Sequence, residues 1–226
     1  MSVDMYLPAF PTLAQDLFTD SGRVQQTLSA FLLGFAVSPL VWGPLSDRFG
    51  RKPILYAGLV IFVAASIGGA LSESIDVLIG FRFLQALGGS AAASLARAIV
   101  RDRYDREEAA RTLSLLFVVM AIAPMAAPII GGQVLVFFGW RAIFWALAGY
   151  GVICLALTVY PLRETLPVER RTHHHAGEMA KSYGALLRNR RYIGYALCQG
   201  LSFAAMFAYI AGSPFVIIEL LGISPE

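Results

Sequence analysis

The sequence predicts an all-α membrane protein, a bundle of hydrophobic helices, and three observations lead there. Apolar residues are 57% of the 226 and charged ones 15%, with a mean hydropathy of +0.64, whereas soluble domains hold about 45–50% apolar and about 25% charged residues. The apolar residues gather into runs near or above the roughly 20 residues that cross a hydrocarbon core of about 30 Å. The polar connections are mostly short, which places neighbouring helices antiparallel. With every backbone group needing a partner in lipid, a helical bundle is the natural architecture. A barrel would show short alternating segments instead, and the sequence has none.

Taken in order, a partial apolar start at Met1–Phe10, with its outer end near Pro11, comes first. Val24–Leu45 follows, carrying Gln25, Gln26, Ser29 and Ser38 among its apolar residues. Pro53–Leu71, Val77–Leu95, Leu113–Phe138, Ala142–Leu162 and Tyr192–Leu221 complete six whole spans and a piece of one. The longest polar connection, Arg163–Arg191, reads as a linker between two halves. The organisation is therefore a bundle at 1–162, a linker at 163–191 and a further helix in 192–226.

Basic residues orient the bundle. Alternate connections hold Arg48, Arg51 and Lys52; then Arg101, Arg103, Arg106 and Arg111; then Arg163, Arg170, Arg171, Lys181, Arg188, Arg190 and Arg191. The others hold only Arg23 and Arg141. The positive-inside rule makes the first set, and the linker with it, cytoplasmic. The net charge of +3 then reflects topology, and no nucleic-acid partner is expected. Cys154 and Cys198 fall inside spans and behave as small apolar groups. His173, His174 and His175 are solvated linker residues with no second ligand cluster, so no metal site is expected. "MSVDMYLPAFP" has an acid where a signal peptide carries cations, so the spans direct insertion.

The stretch "GPLSDRFGRKP", Gly43–Pro53, needs a separate reason. Asp47 ends one helix, while Arg51 and Lys52 start the next, and both placements oppose the helix macrodipole. Asp47 and Arg51 are four apart, with Gly43 and Gly50 allowing close approach and a tight turn. The arrangement suits an ion-pair latch between helix ends that forms in one conformation and breaks in another.

This stretch resembles the loop between the second and third helices of the major facilitator superfamily, G-x-L-x-D-R-x-G-R-[KR]. Gly43, Leu45, Asp47, Arg48, Gly50, Arg51 and Lys52 all match. The resemblance implies a conformational charge relay of Asp47, Arg48 and Arg51 with an acid at the inner end of the fourth helix, matched here by Asp102 in "ARAIVRD". "DMYLPAFP" at Asp4–Pro11, "RFLQALGGSAAASLARAIVRD" and "GWRAIFW" are similar to the Bcr/CflA group of bacterial drug:proton antiporters. "APIIGG" at Ala127–Gly132 is similar to the fifth-helix antiporter motif G-P-x-x-G-G, with Ala127 in place of its glycine and Ala123 in place of an earlier one. The family has twelve helices in two six-helix halves. The resemblance therefore implies a fragment: an N-terminal bundle with an incomplete first helix, plus the first helix of the second half.

An ionisable side chain inside a span costs roughly 2.5–3.5 kcal/mol on insertion scales and marks function by default. Arg82 lies about seven residues into its span, roughly 10 Å deep at the rise of a helix. Asp4 lies about seven residues before Pro11, so an Asp4–Arg82 pair across the bundle is geometrically plausible, each charge lowering the cost of the other. In the functional reading Asp4 carries the coupling proton and Arg82 tunes it; in the structural one Asp4 is an acid near a chain end. Tyr6 and Gln85 either line the cavity or bond a neighbouring backbone. Pro124 and Pro128 share a helix face, with Gly131 and Gly132 a turn beyond, which should bend the fifth helix and allow close contact. Arg97, near the inner end of the fourth span, is expected to snorkel to the interface rather than bind substrate. Met120, Met125, Phe203 and Met206 suit either a cavity for apolar drugs or a lipid-facing or core position.

The expectation is drug:proton antiport across the bacterial inner membrane by alternating access, with small-molecule drugs and the bilayer as partners, protons as coupling ion and no cofactor. At full length it is expected to be a monomer. No Walker-type loop G-x-x-x-x-G-K-[ST] and no H-E-x-x-H are present, so neither an ATP-driven pump nor a membrane-embedded enzyme is expected. A receptor or scaffold, or a transporter of a different solute, is the alternative.

Overall fold

The computed structural model describes residues 2–159, 162, 164–167, 169, 171 and 183–214. The chain divides into two compact units, Met1–Thr172 and His173–Glu226. The first begins with a turn at 2–6 and a 3-10 turn, Leu7–Ala9. The helices α1 (Phe10–Asp16), α2 (Ser21–Phe49), α3 (Arg51–Ala70), α4 (Ile75–Arg103), α5 (Arg106–Phe138) and α6 (Trp140–Val159) follow. The second unit has a short helix, α7 (183–188), and α8 (Arg190–Pro214). Among the described residues no strand is present.

Local chemistry sets the helix ends. Asp20, Ser74 and Asp105 are N-caps for α2, α4 and α5, their side chains accepting from Arg23 N, Val77 N, and Glu107 N with Glu108 N. Gly50 and Gly139 stop α2 and α5 at φ 101° and 79°, a region closed to most side chains. These caps carry α2 beyond the apolar run Val24–Leu45 at both ends. Pro11 does not mark the outer end of the first span. It occupies an early position of α1, where proline costs nothing because its missing N–H would be unpaired anyway, and helix continues to Asp16.

Five helices among the described residues, α2 to α6, are long and apolar enough to cross a membrane. The expected span Tyr192–Leu221 is helical over Arg190–Pro214, and residues 215–221 of it lie outside the described residues. In the first unit α4 packs against both α2 and α3, and α3 packs against α6. Small residues make these approaches possible: a Cβ on Gly34 would meet the Phe83 carbonyl, and Gly58 and Gly88 lie backbone to backbone. One apolar core joins Met5, Tyr6, Leu13, Leu78, Trp140 and Phe144 toward the Gly139 end, and another joins Trp42, Leu55, Leu59 and Leu95 toward the Gly50 end.

Candidate functional site

The expected polar residues fall into two groups, both in the first unit. In the first, α4 presents Arg82 and Gln85, three apart and so on one face, and both are fully buried. Arg82 NH1 donates to Gln85 Oε1 at 2.7 Å and to the Ser2 carbonyl at 3.1 Å. Gln85 Nε2 donates to Ser66 Oγ at 2.8 Å, and Ser66 Oγ donates in turn to the Phe62 carbonyl at 2.7 Å. The guanidinium carbon lies 4.4 Å from the Tyr6 ring centre and 4.3 Å from that of Phe31, with Phe144 at 6.0 Å. Ring faces are electron-rich and attract a cation that has left water. Thr27 donates to the Val24 carbonyl, so it accepts the Tyr6 hydroxyl proton at 2.8 Å.

The Asp4–Arg82 ion pair expected from matched depths is not formed. Arg82 takes its hydrogen bonds from the Ser2 carbonyl and Gln85, while Asp4 is half-buried in the turn at 2–6. The cause is local: that turn directs a backbone carbonyl and the Tyr6 ring, rather than the carboxylate, onto the guanidinium. Tyr6 and Gln85 do lie at Arg82, bonding to side chains rather than to backbone. Two guanidinium nitrogens, Nε and NH2, have no hydrogen-bond partner among the described residues.

The second group gathers at Gly50. Arg51 NH1 donates to Asp47 Oδ1 and, at 2.6 Å, to Ser46 Oγ, while its Nε donates to Asp102 Oδ2 at 3.0 Å. One guanidinium thus ties α2, α3 and α4 together, with the Arg51 side chain only 11% exposed against 48% for Asp47 and 24% for Asp102. Glu164 adds a carboxylate from beyond α6. It accepts from Arg51 N at 2.9 Å and Lys52 N at 3.2 Å, and also from Thr165 N and Leu166 N. This acid supplies the anion that the first turn of α3 lacks. Burial pushes the Glu164 carboxyl up, but the four backbone donors outweigh it and hold it below the usual carboxylate value. A Cβ on Gly50 would reach 2.5 Å from Glu164 Oε2, so the glycine serves the cap as well as the turn.

Arg48 does not join this network: it is exposed and lies over the Phe49 ring at 5.3 Å. Gly43 is at no close approach, since a Cβ there would meet nothing within 4 Å. On α5, helix continues through Pro124 and Pro128, and both prolines are exposed. The close contact falls three residues beyond each proline, on Ala127 and on Gly131 as expected: both are buried, and a Cβ on Gly131 would strike the Met5 backbone. Gly132 would meet nothing within 4 Å. Arg97, Met120, Met125, Phe203 and Met206 are exposed, and Cys154 and Cys198 are free thiols. His173–His175 lie outside the described residues.

Sequence reasoning missed Glu164, Ser46, Ser66, Phe31 and Phe144. Ser46 and Ser66 carried a signal, as hydroxyls within apolar helices. Phe31 and Phe144 carried none, being indistinguishable from other core phenylalanines.

A bundle of apolar helices with a buried arginine on α4 and an ionic knot at one end defines a multi-pass membrane protein. The chain belongs to the Major Facilitator Superfamily, whose family model matches residues 1–225. It is 41% identical to the uncharacterized MFS-type transporter YdgK of Bacillus subtilis, over 100% of this chain and 57% of that protein. It is 33% identical to the bicyclomycin resistance protein homolog of Haemophilus influenzae, over 98% of this chain and 56% of the relative. Multidrug resistance protein MdtL of Escherichia coli is also 33% identical, over 97% and 55%. The chain thus spans a little over half the length of these relatives, whose names agree with the Bcr/CflA resemblance. The crystal structure of the human organic anion transporter MFSD10 (TETRAN) shares the fold at a TM-score of 0.67 and 19% identity, covering 83% of this chain and 51% of the other.

Proposed function

We propose that this chain serves a secondary transporter of the bacterial inner membrane that exports small, largely apolar compounds, antibiotics among them, in exchange for protons. The observation that carries the reading is the Arg51 network. It joins three helices through a single, nearly buried guanidinium whose acid partners are partly exposed. Such a knot stabilises one arrangement of the helix ends and is cheap to open, because water can take over each carboxylate. The resistance proteins among the relatives support a drug as cargo. In this reading the Gly50 end and the linker face the cytoplasm, following the basic connections.

Proton coupling is assigned to Asp4 with Arg82. The Ser2 carbonyl already reaches Arg82, and Asp4 stands two residues further along the same segment. A small shift of that segment along α4 exchanges carbonyl for carboxylate. Ionised Asp4 would then favour the shifted state and protonated Asp4 the unshifted one. The test is drug-dependent proton release from liposomes holding the protein at full length, with a panel of cationic and neutral antibiotics. Release that disappears in Asp4→Asn is expected. Wild-type rates in that variant would remove Asp4 from the mechanism, and no release with any drug would point to another solute or direction.

A further inference from the structure

The junction of α4 and α5 holds a cavity of about 320 Å³ that plays no part in either polar group described above. Arg101, Tyr104, Asp105 and Arg106 line its polar side, and Ala109, Ala110 and Leu113 its apolar side. Arg101 and Arg106 are exposed and make no ion pair or hydrogen bond through their side chains among the described residues. Of the neighbouring acids, Asp102 holds Arg51 and Asp105 Oδ1 accepts from Glu107 N and Glu108 N, while the Glu107 and Glu108 side chains do not line the cavity.

The helix dipole accounts for Arg101, which stands in the last turn of α4 beside Arg103. It does not account for Arg106, which opens α5 where a cation is unfavourable; the inside bias of basic residues puts Arg106 at this end of the bundle but does not choose its place on the cavity. The two arginines therefore face one space from two helices, and one of them is placed against its own helix. Beyond Leu113, the same face of α5 continues exposed and apolar one and two turns on, at Phe117 and Met120. A cationic mouth opening onto an apolar helix face matches an amphiphile with an anionic head.

We propose that this cavity binds the headgroup of an anionic phospholipid, its phosphodiester held by Arg101 and Arg106 with the Tyr104 hydroxyl beside them and its acyl chains lying along α5. Basic pockets between membrane helices select anionic lipids by this chemistry. The carboxylate of Asp105 tells against an anion, but it caps the helix, and the lining still carries two cations to its one charge. The site is independent of whether the protein transports anything.

The experiment uses the purified chain in nanodiscs of phosphatidylcholine with or without phosphatidylglycerol. Retained lipid is counted by native mass spectrometry and melting temperature is recorded alongside. R101Q/R106Q is compared with R103Q/R111Q, which removes the same charge from the same end without touching the lining. Wild type and R103Q/R111Q are expected to retain phosphatidylglycerol and to melt higher with it. R101Q/R106Q is expected to bind it about 10-fold or more weaker through loss of the charge-assisted bonds to the phosphodiester, and to lose the melting shift. Equal losses in both variants would mean a diffuse surface attraction and overturn the site. An unchanged R101Q/R106Q would do the same. Inorganic phosphate at matched ionic strength, added to lipid-free detergent micelles, separates the sources: a shift as large as that with the lipid would make this a free-anion site and overturn the lipid assignment.

Discussion

Arg82 and Arg51 carry the same guanidinium in opposite surroundings. Arg82 is fully buried, flanked by Tyr6 and Phe31 and hydrogen-bonded to neutral oxygens. Arg51 sits at a helix end with two carboxylates and a hydroxyl on its side chain and a third carboxylate on its backbone. The first is held by aromatic faces and packing, which release a group only if something replaces it. The second is held by charges within reach of water, which release it at small cost.

The widest separation between them should appear at Arg82. Arg82→Ala leaves a cavity and strips Gln85 Oε1 of its donor, and should destabilise the bundle by about 2–3 kcal/mol in a denaturation experiment in detergent. Arg82→Met fills the space without a buried charge and should cost under about 1.5 kcal/mol, while export by the full-length protein falls to background. If Arg82→Met lost stability as badly as Arg82→Ala, the guanidinium would be structural rather than functional.

Arg51→Gln comes next, at about 2 kcal/mol for the loss of charge-assisted bonds on a nearly buried side chain. That loss should shrink in high salt, which screens the partly exposed carboxylates, whereas the Arg82 variants should be indifferent to salt. Equal salt sensitivity at both arginines would mean that the two guanidinium groups are held by the same kind of interaction.

Glu164→Gln should cost about 1 kcal/mol, as for a lost helix cap. Its pH dependence has a definite sign. The folded carboxyl sits below its usual value, so its stabilisation is complete above the unfolded value of about 4.3 and is lost as pH falls through the lower folded one. Melting curves of wild type and Glu164→Gln should therefore converge in acid below about pH 4. Arg48→Gln should move stability by no more than about 0.5 kcal/mol. A loss matching that of Arg51→Gln would return Arg48 to the relay.

How legible these groups were depended on the span of sequence each one needs. Asp47 and Arg51 could be paired from four-residue spacing and a placement against the dipole, and the family resemblance supplied Asp102. Glu164 could not be found that way, because its bonds to Arg51 and Lys52 cross 113 and 112 residues. Arg82 was singled out by its cost inside a span, yet its partner was misassigned. Matching depths along two helices does not say which atoms of a non-helical turn face inward. On α5 the motif drew attention to Pro124, Pro128, Gly131 and Gly132, with Ala127 as a small substitute, and of these the contact falls on Ala127 and Gly131 alone. Which face turns inward depends on the neighbour.

The sequence by itself determined that this is a bundle of membrane-crossing helices, where most of them run, and which few charges sit where charge is expensive. Those follow from the transfer of side chains and backbone out of water, a property local to each segment. Only the tertiary structure decided that Ser2 and two aromatic rings, not Asp4, meet Arg82, that Glu164 caps α3, and that Arg48 stands aside. Hydrogen bonds and ring contacts are short-ranged and directional, so they depend on coordinates that no single segment contains.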